Sequence, residues 1–141
     1  MRIRVIAFAT LLAGSVNTAY AADDAMTVLQ DLASKWTAAY NNGDAGKVAE
    51  LYTADAAFLS GVLGALKGRT EIETAINLAV KQAPKITFNP VEAHENGNIV
   101  WGYWDYTISD GPSGHGAITA VKEAGAWHIA MHISNVKPKK Q

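Results

Sequence analysis

The chain has 141 residues, no cysteine, 12 basic and 13 acidic side chains and a formal net charge of −1. That excludes disulfides, zinc–thiolate sites and thiol nucleophiles, and it argues against a nucleic-acid backbone as partner. No repeat, low-complexity run or linker divides the chain.

Met1-Arg2-Ile3-Arg4 is a basic start, Val5 to Ala13 is apolar apart from Thr10, Ser15 to Thr18 is polar, and Ala19-Tyr20-Ala21 is a small-x-small step. This order predicts a secretory signal peptide over residues 1–21, cleaved before Ala22. The apolar run is about half of the roughly 20 residues a membrane-spanning helix needs. Residues 22–141 are then a single domain in the periplasm or outside the cell, with no membrane contact after cleavage. Losing Arg2 and Arg4 leaves ten basic against thirteen acidic side chains, with Lys137, Lys139 and Lys140 together on a short basic tail.

Leu29, Leu32, Trp36 and Tyr40 recur at three- and four-residue spacing and predict a helix from about Ala25 to Asn41. Asn42-Gly43 stops it, and Asp44 is placed to cap a second, short helix with Val48, Leu51 and Tyr52 inward. A short strand is expected over Ala56–Ser60, then a glycine-spaced loop from Gly61 to Gly68. Thr70-Glu71-Ile72-Glu73 has the form of a capping box opening a third helix, with Ile72, Ile76, Ala79 and Val80 on one side and Pro84 at its end.

From Lys85 the period becomes strand-like. Ile86–Glu95 is a strand whose Pro90 places it at an edge or a bulge, and Asn96-Gly97 is a strong hairpin signal. Ile99–Ser109, His115–Lys122 and Trp127–Asn135 follow, separated by turns at Asp110–Gly114 and Ala124-Gly125. Helices first and antiparallel strands after them predict an α+β domain, whose sheet must cover one face with the helices.

Two stretches carry a family resemblance: Trp36–Asp44 continuing through Val48–Ala56, and the ending Gly125–Ser134. A helix, N-x-G-D, L-Y-x-x-D-A and a later G-R before a helix resemble the SnoaL-like and ketosteroid-isomerase-like groups of the nuclear transport factor 2-like superfamily. The closing W-x-I…H-x-S resembles the subgroup containing the association domain of calmodulin-dependent kinase. The resemblance spans essentially Ala25–Val136. It implies N-terminal helices packed in the concave face of a strongly curved, mostly antiparallel sheet, a cone-shaped, cystatin-like half barrel, and a homodimer joined through the sheet face. The fold hosts many unrelated activities. Trp36, Ser60 and Thr119 stand where ketosteroid isomerases have a tyrosine and two aspartates, so that enzyme's route of proton transfer is not expected here.

Two residues are candidates for acid–base chemistry. Asp55 lies between an apolar helix end and an apolar strand and is expected to be partly shielded; its alternatives are local capping or a pair with Arg69. His132 lies on the last strand. Tight turns would put His132 near Ala117 and make it a diagonal neighbour of His115, while keeping Asp105 too far from His132 for a dyad. Two histidines fall short of the three protein ligands of a catalytic zinc, so no metal and no cofactor is expected. On Ile99–Ser109, Trp101 and Tyr103 share one face with Asp105, and Trp104 and Tyr106 share the other with Ile108. The first face is assigned to a pocket and the second to a partner chain.

The reading that follows is an exported homodimer binding a small, largely apolar molecule. Trp36, Tyr40, Tyr52, Trp101 and Tyr103 would form the walls; Asp55, His115 and His132 would orient the ligand. The alternatives are an isomerase, cyclase or dehydratase using Asp55 or His132, and a protein-assembly module. No dinucleotide fingerprint, P-loop or nucleophile elbow is present.

Overall fold

A computed structural model describes residues 24–82 and 85–138. The expected signal peptide, Pro84 and the end of the basic tail lie outside the described residues. Helix α1 (Ala25–Asn41) starts where Asp24 accepts a hydrogen bond from the Thr27 amide, and it buries Val28, Leu29, Leu32, Trp36 and Tyr40 on one face. Full burial of Leu29 and Leu32 contributes about 1.5–3 kcal/mol each. Asp44 caps the six-residue α2 (Ala45–Glu50) through the Lys47 amide at 3.0 Å. The same bond, with the neighbouring Lys47 ammonium, holds the exposed Asp44 carboxyl below its usual pKa.

Two boundaries differ from expectation. Tyr52 belongs to no helix but opens strand β1 (Tyr52–Ser60), and the glycine-spaced loop contains strand β2 (Gly64–Lys67). Gly64 and Gly68, at φ 85° and 77°, supply the left-handed turns that bracket β2. Helix α3 (Gly68–Gln82) therefore starts before Thr70, and Glu71 reaches back to the Lys67 amide at 2.8 Å. Thr70 lies inside the first turn and is not the cap.

Strands β3 (Ile86–Asn96), β4 (Ile99–Ile108), β5 (Ser113–Glu123) and β6 (Ala126–Val136) complete a six-stranded sheet in the order β2-β1-β6-β5-β4-β3. All pairs are antiparallel except β1–β6, and the sheet is not closed. Pro90 sits on the edge strand β3, at a register shift between Pro90 and Glu92. The helices cover one face: α1 packs on β3 and β4, and α3 on β1 and β2. Asn41 ties α1 to β3, its side chain bonding both the carbonyl and the amide of Ile86 at 2.9 Å. No helix among the described residues is long and apolar enough to cross a membrane.

Candidate functional site

The inward face of the sheet is set by glycine as much as by apolar residues. On β4, Val100, Trp104 and Tyr106 point at the helices and are buried. Across from them on β5 stand Gly114 and Gly116. A Cβ on Gly114 would lie 2.3 Å from the Tyr106 ring, and one on Gly116 would lie 2.3 Å from Trp104 Nε1. The large rings thus rest on bare backbone. This corrects the assignment of β4: Trp104 and Tyr106 face inward, whereas Trp101 and Tyr103 are 42% and 38% exposed on the outer face.

The last strand is corrected for a different reason. Counting back from the tight turn at Ala124-Gly125 puts His132 opposite Ala117, and Ala120 does pair with Ile129 on that count. The register then shifts between Thr119 and Ala120, leaving Ala130 as an extra residue, so His132 faces Ile118 instead. One bulge residue exchanges the two faces of everything beyond it. His132 becomes a core side chain, 1% exposed, while Met131 turns outward.

His132 is enclosed by rings. Phe58 stacks on the imidazole at 4.3 Å and 3°, and Trp104, Phe88 and Trp36 stand at near right angles to it, 5.4–6.3 Å away. Trp36 Nε1 donates to the Tyr52 hydroxyl at 3.0 Å, and that oxygen lies 2.8 Å from His132 Nδ1. Tyr52 is fully buried. Burial raises the pKa of the Tyr52 phenol, and it lowers that of His132 to about 3, so the imidazole is neutral. His132 Nε2 is buried with no hydrogen-bond partner among the described residues.

Beside this group is a cavity of about 160 Å³, walled by α1, α3 and the sheet. Its lining includes Trp36, Tyr40, Phe58, Phe88, Tyr106 and His132, with Ser60, Ser134 and aliphatic side chains completing it. Burial also raises the pKa of the Tyr40 phenol. Val62, on the turn between β1 and β2, belongs to the lining yet is 75% exposed, which marks the mouth. Ser60 holds that turn, its Oγ accepting from the Val62 and Leu63 amides.

Of the residues singled out in the sequence, Trp36, Tyr40 and His132 line the cavity, and Tyr52, expected on its wall, is instead buried behind it, bonded to Trp36 and His132 and outside the lining. Asp55, expected to be shielded, is exposed and outside the lining, its carboxylate accepting from the Thr53 hydroxyl at 3.0 Å. Ala54 beside it is exposed as well, at an irregularity in the β1–β6 register between Tyr52 and Ala57, while Ala56 on its other side turns into the core. Arg69 is engaged elsewhere, donating to the Tyr52 carbonyl at 2.7 Å. His115 is exposed and bonded to Asp105 at 2.6 Å, because the β4–β5 register pairs those two residues directly. It is therefore no neighbour of His132. Trp101 and Tyr103 line a separate outer groove with His94, Thr119 and Met131. Phe58 and Phe88 were not placed on the pocket wall from sequence; the β3–β4 pairing of Phe88 with Tyr106 puts it there.

The family of SnoaL-like domains matches residues 33–131. The chain belongs to that family. A comparison with curated proteins finds no match. Among solved structures, a protein of unknown function from Mycobacterium tuberculosis is 17% identical with a TM-score of 0.70, covering 79% of this chain and 76% of that one. A ketosteroid isomerase-like protein from Erwinia carotovora atroseptica is 16% identical with a TM-score of 0.69, covering 82% and 99%. A protein from Thiobacillus denitrificans named for the association domain of calcium/calmodulin-dependent protein kinase type II is 14% identical with a TM-score of 0.68, covering 77% and 94%. At such identities the likeness establishes the SnoaL-like, nuclear transport factor 2-like fold alone.

Proposed function

We propose that this SnoaL-like domain binds a small, largely apolar molecule, about the size of one ring, in the cavity between α1, α3 and the sheet. The observation that carries this reading is an aromatic-walled space of about 160 Å³ whose lining includes the tyrosines Tyr40 and Tyr106, the serines Ser60 and Ser134, and the buried His132. Apolar cavities of about 150 Å³ bind benzene, and a few fixed polar groups on an apolar wall are the usual make-up of a ligand site. Acid–base catalysis is the weaker reading, since Asp55 lies outside the lining and His132 Nδ1 already bonds the Tyr52 hydroxyl.

The test is a nuclear magnetic resonance titration of the protein purified from expressing cells with ethylbenzene. Saturable shifts confined to Phe58, Phe88, Tyr106 and their neighbours are expected. Unmoved resonances at all three rings would sink the reading.

Export and dimerisation belong to the same proposal. Cleavage before Ala22 predicts a periplasmic product whose first residue is Ala22, which intact mass measures directly. The outer face, with Ile99, Trp101, Tyr103 and Met131 all exposed, is the surface proposed to join two copies. Trp101→Lys is then expected to turn a dimer into a monomer in sedimentation velocity, and a wild-type monomer would refute it.

A further inference from the structure

We infer that the cavity holds one end of a longer molecule, an uncharged ring carrying an alkyl chain that leaves through the mouth across Val62 and Val136. This rests on the ligand-binding reading above and adds the ligand's shape and class.

Volume sets the first limit. About 160 Å³ suits a single ring, whereas sites that enclose a whole ligand commonly measure about 300–1,000 Å³. The buried wall leaves no room to grow inward, because it is ring packed on ring: Phe58 on His132 at 4.3 Å and Phe88 on Trp36 at 4.8 Å. Among the described residues, no Asp, Glu, Lys or Arg lines the cavity. A charge on the enclosed end would therefore be buried without a partner. The rest of the ligand lies outside the mouth.

The mouth meets that part with apolar surface. Turns favour glycine, proline and short polar side chains. The other three hairpin turns carry Gly97-Asn98, Ser109 to Pro112 and Ala124-Gly125, with no large apolar side chain. The β1–β2 turn instead sets Val62 and Leu63 between Gly61 and Gly64. Both line the cavity, and Ser60 Oγ holds them there by accepting from their amides at 3.2 and 3.1 Å. Leu63 packs against the core, while Val62 is 75% exposed. Strands β1 and β6 run parallel with Ser60 beside Ser134, so both leave the cavity at the same end. Two residues past Ser134, on the same face, comes Val136, 41% exposed. A lone exposed valine needs no explanation, but Val62 is continuous with the lining of an apolar cavity. A chain lying on Val62 and Val136 covers surface that a single ring leaves in water.

The test compares 2-phenylethanol with 6-phenylhexan-1-ol in nuclear magnetic resonance titrations of the protein purified from expressing cells, with ethylbenzene as reference. A methylene fully covered strengthens binding about fourfold, and one half covered about twofold. The extra methylenes of the hexanol are therefore expected to make it bind at least about tenfold tighter than the ethanol. Overhauser contacts should join its ring to Phe58 and its chain to the Val62 methyls. Val62→Ser should cut the ratio of the two affinities to about threefold or less, whatever it does to each alone. Equal or weaker binding of the hexanol, an unchanged ratio in Val62→Ser, or a chain that touches Phe58 while the ring does not would overturn the inference and leave the one-ring cavity intact. If ethylbenzene binds and neither alcohol does, the inference falls alone; if none of the three binds, both readings fall. Should Val62→Ser fail to fold, the affinity ratio and the contacts in the unaltered chain decide the matter.

Discussion

Acid should weaken this protein through His132, and the size of the effect follows from its burial. The imidazole has a usual pKa of 6.5 and is depressed to about 3 in the folded chain. Between those values the unfolded chain binds one proton more than the folded one, so stability falls as the pH falls. The loss begins near pH 6.5, grows by about 1.4 kcal/mol per pH unit and ends near the folded pKa. From pH 7 to pH 5 it amounts to about 2 kcal/mol, a large part of the 5–15 kcal/mol typical of a domain. His132→Phe supplies the control: the ring still stacks on Phe58 but cannot titrate, while His94, His115 and His128 are unchanged. Urea unfolding followed by tryptophan fluorescence at the two pH values gives each stability. The pH-dependent loss should be about 2 kcal/mol smaller in the variant than in the parent, whatever the variant's stability at pH 7. Equal losses in the two proteins would mean that His132 titrates normally and that its ring is hydrated, which would refute the enclosed site.

Three further outcomes are expected. Gly116→Ala sets a methyl 2.3 Å from Trp104 Nε1 and should cost about 1–3 kcal/mol by overpacking, seen as a lower urea midpoint at unchanged slope. Asn41→Ala removes both hydrogen bonds to Ile86 and should cost about 1–3 kcal/mol in the same assay. Asp55→Asn and His115→Gln alter exposed groups outside the cavity lining; each should leave stability within about 0.5 kcal/mol and ethylbenzene affinity unchanged by titration.

The apolar spacing of α1 and α3 and the Asn96-Gly97 turn make the layers and most elements legible in the sequence. What stayed hidden was parity. β4 carries aromatic rings on both faces, so hydrophobic alternation alone cannot say which face is inside. The missing signal was on the neighbouring strand: only residues opposite Gly114 and Gly116 have room for a ring lying flat on the sheet. For β6 there was less to see, since Ala130 is an ordinary strand residue and nothing in its type announces a bulge. Tyr52 was misplaced because six residues of α2 carry too little periodicity to mark where helix gives way to strand. Trp36 and Tyr40, inside a seventeen-residue helix, suffered no such ambiguity.

His115 on β5 and His132 on β6 show how differently two histidines of one sheet are held. His115 and Asp105 form a short bond of 2.6 Å, yet both side chains are about half exposed. Water competes for both partners there, and such a pair is worth about 0–1 kcal/mol. His132 has no carboxylate and little basicity, but its surroundings exclude water, so its hydrogen bond with Tyr52 is not contested by solvent. An apolar residue at position 132 would fill the core without leaving an orphan donor, and it would need no Tyr52 or Trp36 hydrogen bond to orient it. The Trp36–Tyr52–His132 chain is therefore poorly explained as packing. What it does is fix one arrangement of the buried rings, since each of its bonds needs one donor and one acceptor in place.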